Sequence, residues 1–178
     1  MVQTGDFFHR YVHIPYYFAP EWSYFGTNGV MKTGWQFIGG KWYYFDENGI
    51  MCVGFRQIGG LTYFFNDDGS MKTGWMPIEG TYIYFGDSGA MLTGWQMING
   101  YYYYFDPAES GLMAHSEYYG GYWLNANGTW TYPYKATWRL NDTGWWYGDS
   151  TGWYARDCSY RIDGKTYNFD SNGYCTNP

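Results

Sequence analysis

Aromatic side chains offer the clearest chemistry in this sequence. Tryptophan or tyrosine recurs directly after a glycine and again seven residues later, at Trp35 and Trp42, Trp75 and Tyr82, and Trp95 and Tyr102. Ring faces attract cations, and a cage of rings is a common way to hold a quaternary ammonium group. Flat rings can also stack on the apolar faces of sugars. Each of these rings could therefore bind a ligand or pack against its neighbours.

Residues that could support catalysis or bind a metal form no comparable pattern. His9 and His13 have the spacing of a metal pair on a helix, but nothing near them predicts a helix and no third ligand is evident. The acidic pairs Asp46-Glu47 and Asp67-Asp68 lie in stretches of turn-forming residues, where acids are ordinary. We therefore predict no catalytic residue, no metal site, no cofactor and no enzymatic activity.

Composition excludes several classes of protein. Of the 178 residues, 12 are Phe, 11 are Trp, 23 are Tyr and 26 are Gly. These residues take the place of the Ala, Leu, Glu and Lys that helices favour, which excludes an α-helical fold. A net charge of -6 argues against a nucleic-acid partner, because such a partner needs a basic surface. The chain contains no apolar run long enough for a transmembrane helix.

A 20-residue repeat organises most of the chain. Glycine–aromatic pairs recur at this period, at Gly34-Trp35, Gly54-Phe55, Gly74-Trp75 and Gly94-Trp95. Two further columns keep the same register, at Phe45, Phe65, Phe85 and Phe105 and at Met31, Met51, Met71 and Met91. A fixed period of this length is typical of arrays of small structural units. We expect the phenylalanines, together with Tyr43, to pack one unit against the next.

Each repeat is predicted to form a β-hairpin and a loop. In the unit at residues 34–53, Lys41 to Phe45 is rich in aromatic residues and predicts a strand. The stretch from Asp46 to Gly49 predicts the hairpin turn, Ile50 begins the return strand, and residues 38–40 are the connector. A lone hairpin is marginally stable in water, so the units must stack. The predicted fold is all-β, a solenoid of stacked β-hairpins with ~20-residue repeats.

The repeats divide the sequence into three regions. Residues 1–20 fit no unit, residues 21–115 are the regular repeats, and residues 116–178 are degenerate repeats and C-terminal cap hairpins. The half unit at 21–33 opens the array, and a two-residue insertion falls at 106–111. In the tail, residues 144–147 and 152–154 predict one irregular hairpin. Residues 162–175 repeat the pattern of residues 38–51 and predict a last one.

The three cysteines leave two alternatives open. Cys158 and Cys175 could close a short loop as a disulfide, which would contribute ~3 kcal/mol and leave Cys52 free. Alternatively, all three are buried thiols.

The repeats resemble the cell-wall-binding repeat family, which includes choline-binding modules, glucan-binding repeats and the receptor-binding repeats of clostridial toxins. The resemblance rests on the run TGWQFIGGKWYYFDENGIM at 33–51 and on its copies at 73–91 and 93–113, and it extends over about residues 21–178. It implies an extracellular β-hairpin solenoid associated with the surface or wall of a Gram-positive cell. The chain could then be part of a larger secreted protein.

In choline-binding members of this family, an aromatic cage between successive hairpins holds the quaternary ammonium group. The cage uses the Trp after the glycine, the first ring of the WYY run and the second Tyr of that run one unit later. Carried onto this sequence, the resemblance implies three sets, namely Trp35, Trp42 and Phe64, then Trp75, Tyr82 and Tyr104, and then Trp95, Tyr102 and Trp123. In the unit between the first two sets, Thr62 removes one wall.

The sequence therefore predicts a non-catalytic module that recognises choline on teichoic acids through several weak sites acting together. Two alternatives remain open. The same clefts could bind an α-glucan or a host glycan, or the array could be a spacer in a larger surface protein.

Overall fold

A computed structural model describes residues 7–11 and 20–178, which form seventeen β-strands and one short 3₁₀ helix. The predicted all-β class, built of hairpins, is confirmed. The strands are β1 (Phe7–Tyr11), β2 (Pro20–Tyr24), β3 (Gly34–Ile38), β4 (Lys41–Phe45), β5 (Gly54–Ile58), β6 (Leu61–Phe65), β7 (Gly74–Ile78), β8 (Thr81–Phe85), β9 (Gly94–Ile98), β10 (Tyr101–Asp106), β11 (Leu112–Met113), β12 (Glu117–Tyr119), β13 (Tyr122–Leu124), β14 (Thr137–Leu140), β15 (Trp145–Gly148), β16 (Cys158–Ile162) and β17 (Lys165–Phe169). The 3₁₀ helix is Pro107–Glu109.

The repeated hairpins turn at two residues with positive φ. In the hairpin of β3 and β4, Gly34 pairs with Phe45 at the open end. Gly39 and Gly40 join the strands with φ of 57° and 84°. Positive φ at both central residues defines a type I′ turn, whose twist matches that of the flanking strands. The hairpin turn therefore lies where the sequence predicts only a connector.

The turn that begins at Asp46 links one hairpin to the next and is not the hairpin turn that the sequence predicts. The Asp46 carboxylate accepts the backbone N–H of Ile50 (2.8 Å), so turn chemistry is present as expected. The following residues form only a single bridge, between Phe45 and Met51, in place of the predicted return strand. The reason is that Gly54, with a φ of 71°, turns the chain into the next hairpin.

A further hairpin is present at the N-terminal side. Strand β1 pairs with β2 over five residue pairs. The sequence analysis left residues 1–20 outside the repeats, whereas the backbone register puts Phe7 opposite Tyr24, just as Trp35 lies opposite Tyr44. Part of that segment therefore completes the half unit at 21–33.

The chain divides into two compact units. The first consists of the described residues up to position 75, together with Tyr84–Met91. Its core follows the phenylalanine column, since Phe45, Phe65 and Phe85 are fully buried, as expected for packing residues. One cluster of this core contains Cys52, Tyr63, Phe65 and Ala90.

The second unit consists of Met76–Ile83 and Leu92–Pro178. It contains a three-stranded sheet of order β11-β10-β9 and a four-stranded sheet of order β13-β12-β16-β17, in which β12 and β16 are parallel. The insertion predicted at 106–111 includes the 3₁₀ helix, which Asp106 caps by accepting the N–H of Ala108 (2.8 Å). The core of this unit contains Tyr118, Ala136, Tyr147, Ala155, Ile162 and Phe169.

The tail pairs differently from the prediction. Strand β15 pairs with β14, whereas residues 152–154 contribute only a bridge between Gly148 and Tyr154. Asn141 explains the difference, because its side-chain oxygen accepts the N–H groups of Thr143 (3.0 Å) and Gly144 (3.2 Å) and so forms a turn between β14 and β15. The last hairpin, predicted at residues 162–175, lies at β16 and β17 (158–169) instead, because the chain turns at Asp163 and Gly164 and the residues after β17 add only a bridge between Phe169 and Cys175.

The three cysteines are free thiols. Of the two alternatives, the structure therefore shows the one without a disulfide, although only Cys52 is buried. Cys158 and Cys175 both pair with Phe169, one in the β16–β17 ladder and one through a bridge. The backbone pairing thus places both cysteines beside Phe169, one on each side, without a bond between their sulfur atoms.

Candidate ligand-binding site

The first unit holds an aromatic cage around Trp35. Strand β3 supplies Trp35, strand β4 supplies Trp42, and β6 of the next hairpin supplies Tyr63. The ring centroid of Trp35 lies 6.3 Å from that of Trp42 and 4.9 Å from that of Tyr63, with interplanar angles of 86° and 67°. The backbone N–H of Met71 donates to the carbonyl of Trp42 (2.7 Å) and ties the two hairpins together. We call Trp35, Trp42, Tyr63 and Met71 the Trp35 cage.

Exposure differs among the rings of the Trp35 cage. The side chain of Trp42 is 44% exposed, whereas Tyr63 is buried. Tyr63 is therefore part of the packed wall, and Trp42 presents its ring to solvent. A cage with a fixed wall and an open indole offers ring faces to a ligand without prior rearrangement of the core.

Phe64, the third member of the set predicted around Trp35, packs elsewhere. Its ring lies 5.0 Å from Phe55 and 6.4 Å from Phe85. Successive residues of a strand point to opposite faces, so a shift of one residue changes the cage partner. One signal in the sequence could have found Tyr63: it shares a strand face with Phe65, which also contacts Trp35 (5.7 Å).

The second unit holds an equivalent cage around Trp95. The Trp95 ring lies 5.9 Å from Tyr122 and 6.4 Å from Trp130. The Trp130 ring also contacts that of Tyr102 at 5.6 Å, and the backbone N–H of Trp130 donates to the carbonyl of Tyr102 (2.9 Å). Trp130 thus occupies the position that Met71 has in the Trp35 cage. We call Trp95, Tyr102, Tyr122 and Trp130 the Trp95 cage.

Trp123, the predicted third ring of the Trp95 set, faces another part of the second unit. Its ring contacts Tyr118 (5.1 Å) and Tyr160 (5.9 Å). Its neighbour in the strand, Tyr122, is the residue that meets Trp95. The difference is again one residue along a strand, as with Phe64 and Tyr63.

The set of Trp75, Tyr82 and Tyr104 stays a prediction, because its residues are divided between the two compact units. Within the first unit, the Trp75 ring lies 4.9 Å from Tyr84. Within the second, Tyr104 stacks on Tyr119 at 3.7 Å.

A related pair of rings in the tail was missed by the sequence analysis. Trp138 lies opposite Tyr147 as Trp35 lies opposite Tyr44. Its ring meets Tyr167 of the last hairpin at 4.8 Å. The signal for this position was weak, because Thr137 replaces the glycine that precedes the aromatic residue in the regular repeats.

Two carboxylates lie beside another group of aromatic residues in the first unit. A cavity of about 410 Å³ is lined by Trp22, Tyr43, Met51, Asp67 and Asp68. The three apolar or aromatic members of this lining lie 20 residues, or one repeat, before Trp42, Tyr63 and Met71 of the Trp35 cage. The arrangement combines ring faces with negative charge, which suits a cationic ligand.

Hydrogen bonds hold Asp68 in its charged form. Ser70 donates to the carboxylate from its hydroxyl and from its backbone N–H (2.9 Å), and Lys41 lies 3.0 Å away. These contacts lower the pKa of Asp68 from the ordinary 3.8 to about 2. The carboxylate is therefore ionised at neutral pH.

Ring faces in the second unit already accept cations from the chain itself. The Lys135 ammonium lies 5.5 Å from the centroid of Tyr122, a member of the Trp95 cage, and the Arg139 guanidinium lies 4.9 Å from that of Trp146.

The described residues contain no group of three His, Cys, Asp or Glu side chains placed to bind a metal ion. His13 of the His9–His13 pair lies outside the described residues.

Comparison with protein families assigns the repeats. A choline-binding repeat matches residues 52–92 and 72–118, and a cell wall binding repeat matches residues 33–51. Residues 33–118 belong to the family of choline-binding, cell-wall-binding repeats. The matched stretches contain Trp35, Trp42 and Trp95 of the two cages. No curated protein sequence matches the chain significantly.

Solved structures of choline-binding repeat proteins are similar to this chain. Choline binding protein F from Streptococcus pneumoniae is 31% identical, and the match covers 90% of this chain and 56% of that one with a TM-score of 0.58. A structure of CbpF in complex with ipratropium is 28% identical over 96% of this chain and 48% of that one, with a TM-score of 0.55. The chain thus spans about half the length of these structures.

The modular autolysin LytC from Streptococcus pneumoniae is also similar. It is 28% identical, with a TM-score of 0.50, and the match covers 88% of this chain and 37% of LytC.

In the part of the chain that the structure describes, no helix has the length and apolar character needed to cross a membrane.

Proposed function

We propose that this chain is a non-catalytic module that binds choline on the teichoic acids of a Gram-positive cell wall. The Trp35 cage carries the proposal. Two indoles at 86° to each other, with a Tyr63 ring 4.9 Å from one of them, form a concave aromatic corner at the junction of two hairpins. The Trp95 cage repeats the arrangement in the second unit. We infer that these cages are the sites and that Tyr63 and Tyr122 act as their third walls.

The physical argument favours a quaternary ammonium group over a neutral ligand at these cages. Such a group has methyl groups that pack against rings and a charge that the ring quadrupoles attract, and a desolvated site gains about 2 kcal/mol or more. The carboxylate of Asp67 adds negative charge at the cavity that Trp22 and Tyr43 line, whereas Lys41 pairs with that of Asp68. A net charge of -6 for the chain acts in the same direction.

The names and bound molecules of the relatives support this ligand. Choline binding protein F is named for choline, and one of its structures was determined in the presence of a peptidoglycan analogue. LytC was solved in complex with a synthetic peptidoglycan ligand. We infer that this chain likewise associates with the cell wall, outside the cell.

We infer further that the repeats provide attachment, whereas any catalytic activity belongs to other parts of a larger secreted protein. LytC supports this division, because it is a modular autolysin of which the match covers 37%. The hydrogen bonds of the acidic turns agree, since Asp46 and Asp68 hold the backbone of their own turns.

Titration of choline, followed by tryptophan fluorescence and by calorimetry, tests the proposal. We expect millimolar choline to shift or quench the fluorescence, while maltooligosaccharides and dextran in separate titrations leave it unchanged. Trp35→Ala should weaken choline binding at its own cage at least tenfold and reduce the number of choline molecules bound by one. Phe55→Ala is the matched control: Phe55 has the same position in the next repeat, where Thr62 replaces the second ring.

Three other outcomes would contradict the proposal. A response to glucans without a response to choline would make the module a glucan binder. Silence in every titration would make it a spacer. Equal losses for Trp35→Ala and Phe55→Ala would show that the cage assignment is wrong even though choline binds.

A further inference from the structure

A second kind of cavity lies in the second unit, apart from the cages. It has a volume of about 440 Å³, within the range of small-molecule pockets. Its residues come from β12, β13, β16 and the two irregular segments that follow β13 and β15. Tyr118 has the position of Trp35, but its hairpin has three residue pairs in place of five. A counterpart of Trp42 is therefore missing, and the cavity is not another cage of the same kind.

Four rings form the apolar side of this cavity. Buried Tyr118 is the floor, and the rings of Trp123, Trp153 and Tyr160 surround it at 5.1 Å, 5.4 Å and 5.6 Å. Trp153 lies at 32° to the floor, whereas Tyr160 stands at 80° to it. Trp153, which is half-buried, thus gives an aromatic surface that a ligand can reach, and Tyr160 gives an upright wall.

Polar side chains complete the lining. Asn125, Thr131 and Tyr132 line the cavity together with the rings. The Asn125 amide donates to the Thr131 hydroxyl (2.9 Å), which fixes the orientation of both. The hydroxyl of Tyr132 donates to Asp149 (2.7 Å), so its oxygen keeps lone pairs for another donor. An amide and two hydroxyls, each held in place, therefore line the cavity beside the rings.

Charge distinguishes this cavity from the one that Asp67 and Asp68 line in the first unit. Among the described residues that line it, none carries a charge. Burial raises the pKa of Tyr118 and of Tyr160 above the usual value, so both phenols stay protonated. Asp149, behind Tyr132, is buried and accepts the hydroxyl and the N–H of Thr151 as well. The cavity therefore offers ring faces and neutral hydrogen-bonding groups, but no carboxylate that a cation could reach.

We propose that this cavity binds a neutral sugar ring of an oligosaccharide. A pyranose has an apolar C–H face that stacks on an aromatic ring, and hydroxyls that pair with amides and hydroxyls at its edge. The Trp153 ring takes the C–H face, while Asn125 and Thr131 take the hydroxyls. The sugar can come from an N-acetylhexosamine chain or from a glucose chain, which share this chemistry. The site operates independently of choline binding at the cages.

Titration of the whole chain with trisaccharides tests the proposal. The probes are the β-1,4-linked trimer of N-acetylglucosamine, maltotriose and isomaltotriose. The readouts are calorimetry and the NMR signals of the tryptophan indoles, assigned through single Trp→Phe variants. We expect at least one trisaccharide to shift the indole signals of Trp123 and Trp153 at millimolar concentration, and the responding trisaccharide identifies the source of the sugar.

Variants locate the site. Trp153→Ala should weaken trisaccharide binding at least tenfold, and Trp153→Phe, which keeps a ring, should weaken it less. Because Trp153 packs in the core, Thr131→Val provides an independent test: Thr131 is exposed, and loss of its hydroxyl should weaken binding several-fold in a chain with an unchanged circular dichroism spectrum. Trp42→Ala is the control in the Trp35 cage and should alter the response to choline alone.

Each other result overturns the proposal. If no trisaccharide shifts the two indoles, the cavity binds no sugar. If sugar binding survives Trp153→Ala and Thr131→Val but is lost with Trp42→Ala, the sugar binds in a cage. If choline shifts Trp153 and the trisaccharides do not, the cavity is one more ammonium site, a result that leaves the proposed function intact.

Discussion

Trp35 meets its aromatic neighbours mainly through ring edges, and this determines what a ligand contacts. Its interplanar angles with Trp42, Tyr44 and Tyr63 are 86°, 70° and 67°. Edge-to-face packing is favourable for aromatic pairs because the positive edge of one ring meets the negative face of the other. Rings that stand at right angles also leave faces directed into a shared space. A trimethylammonium group can then touch more than one face, and the attraction to each face adds to the others.

Asp68 provides a prediction of pH dependence at the same scale. Ser70 and Lys41 favour its charged form and lower its pKa from 3.8 to about 2. A pKa lowered in the folded state contributes stability above the ordinary value, and that contribution is lost as the pH falls from about 4 towards 2. The carboxylate is more than half exposed, so the contribution is small.

NMR titration of the Asp68 carboxyl carbon should give a pKa of about 2. Ser70→Ala should raise that pKa most, because the hydrogen bonds from Ser70 are the main cause of the shift. Lys41→Met should raise it less. A larger effect of Lys41→Met would show that charge, and not hydrogen bonding, controls this group.

The hairpin and the turn that follows it form the repeating element, and a methionine–glycine contact joins successive copies. The side chain of Met51 packs on Gly69, and that of Met71 on Gly89. Gly69 has a φ of 76°, and a methyl group at its Cα would collide with Met51. Glycine is thus required here for two reasons, the backbone conformation and the close approach.

A pair of glycine variants separates these two reasons. Gly69→Ala should destabilise the chain by about 2 kcal/mol or more, because it adds a collision to a strained backbone. Gly60→Ala is the matched control: its φ is 81°, but the space around its Cα is open. It should cost about 1 kcal/mol, the strain alone. Urea unfolding measures both, and equal losses would mean that Met51 moves aside without cost.

The sequence predicts the repeat and its β-hairpins, but not where the hairpins turn. Gly39-Gly40 and Asn48-Gly49 are both turn signals within one period, and a period alone does not say which turn joins paired strands. The same limit applies to the cage, because alternation shows that Tyr63 and Phe64 face opposite ways but not which of them meets Trp35. The parallel pairing of β12 with β16 depends on contacts distant in sequence, and no local pattern indicates it.

Each compact unit carries its own proposed cage, so we expect binding by the whole molecule to be multivalent. The first unit has the Trp35 cage and the second has the Trp95 cage. Two weak sites on one chain bind a polymer that bears many ligand groups far more tightly than either site binds free ligand, by a factor of about 10²–10⁴ where both engage together. Retention on a wall polymer is therefore expected to depend on the number of intact cages more steeply than choline binding does.

Single and double cage variants test this expectation. Trp35→Ala and Trp95→Ala should each remove one site for free choline, with effects that add. On a surface densely coated with choline, each single variant should dissociate at least tenfold faster than the unmodified chain, since one attachment is lost. The double variant should show the least retention of the three. Phe55→Ala should behave as the unmodified chain, and equal retention of single variants and the unmodified chain would show that the cages act one at a time.

The contacts of Met51 with Gly69 and of Met71 with Gly89, each in the turn after the following hairpin, also restrict how the gene can change length. A duplicated or deleted stretch of coding DNA preserves the contact when it contains a whole number of repeats, because Met51 then still meets the residue that follows Asp68. Any other length puts a side chain where Gly69 must be bare. The length of the gene is therefore expected to change by gain and loss of complete repeats. Recombination points should fall at equivalent codons of different repeats.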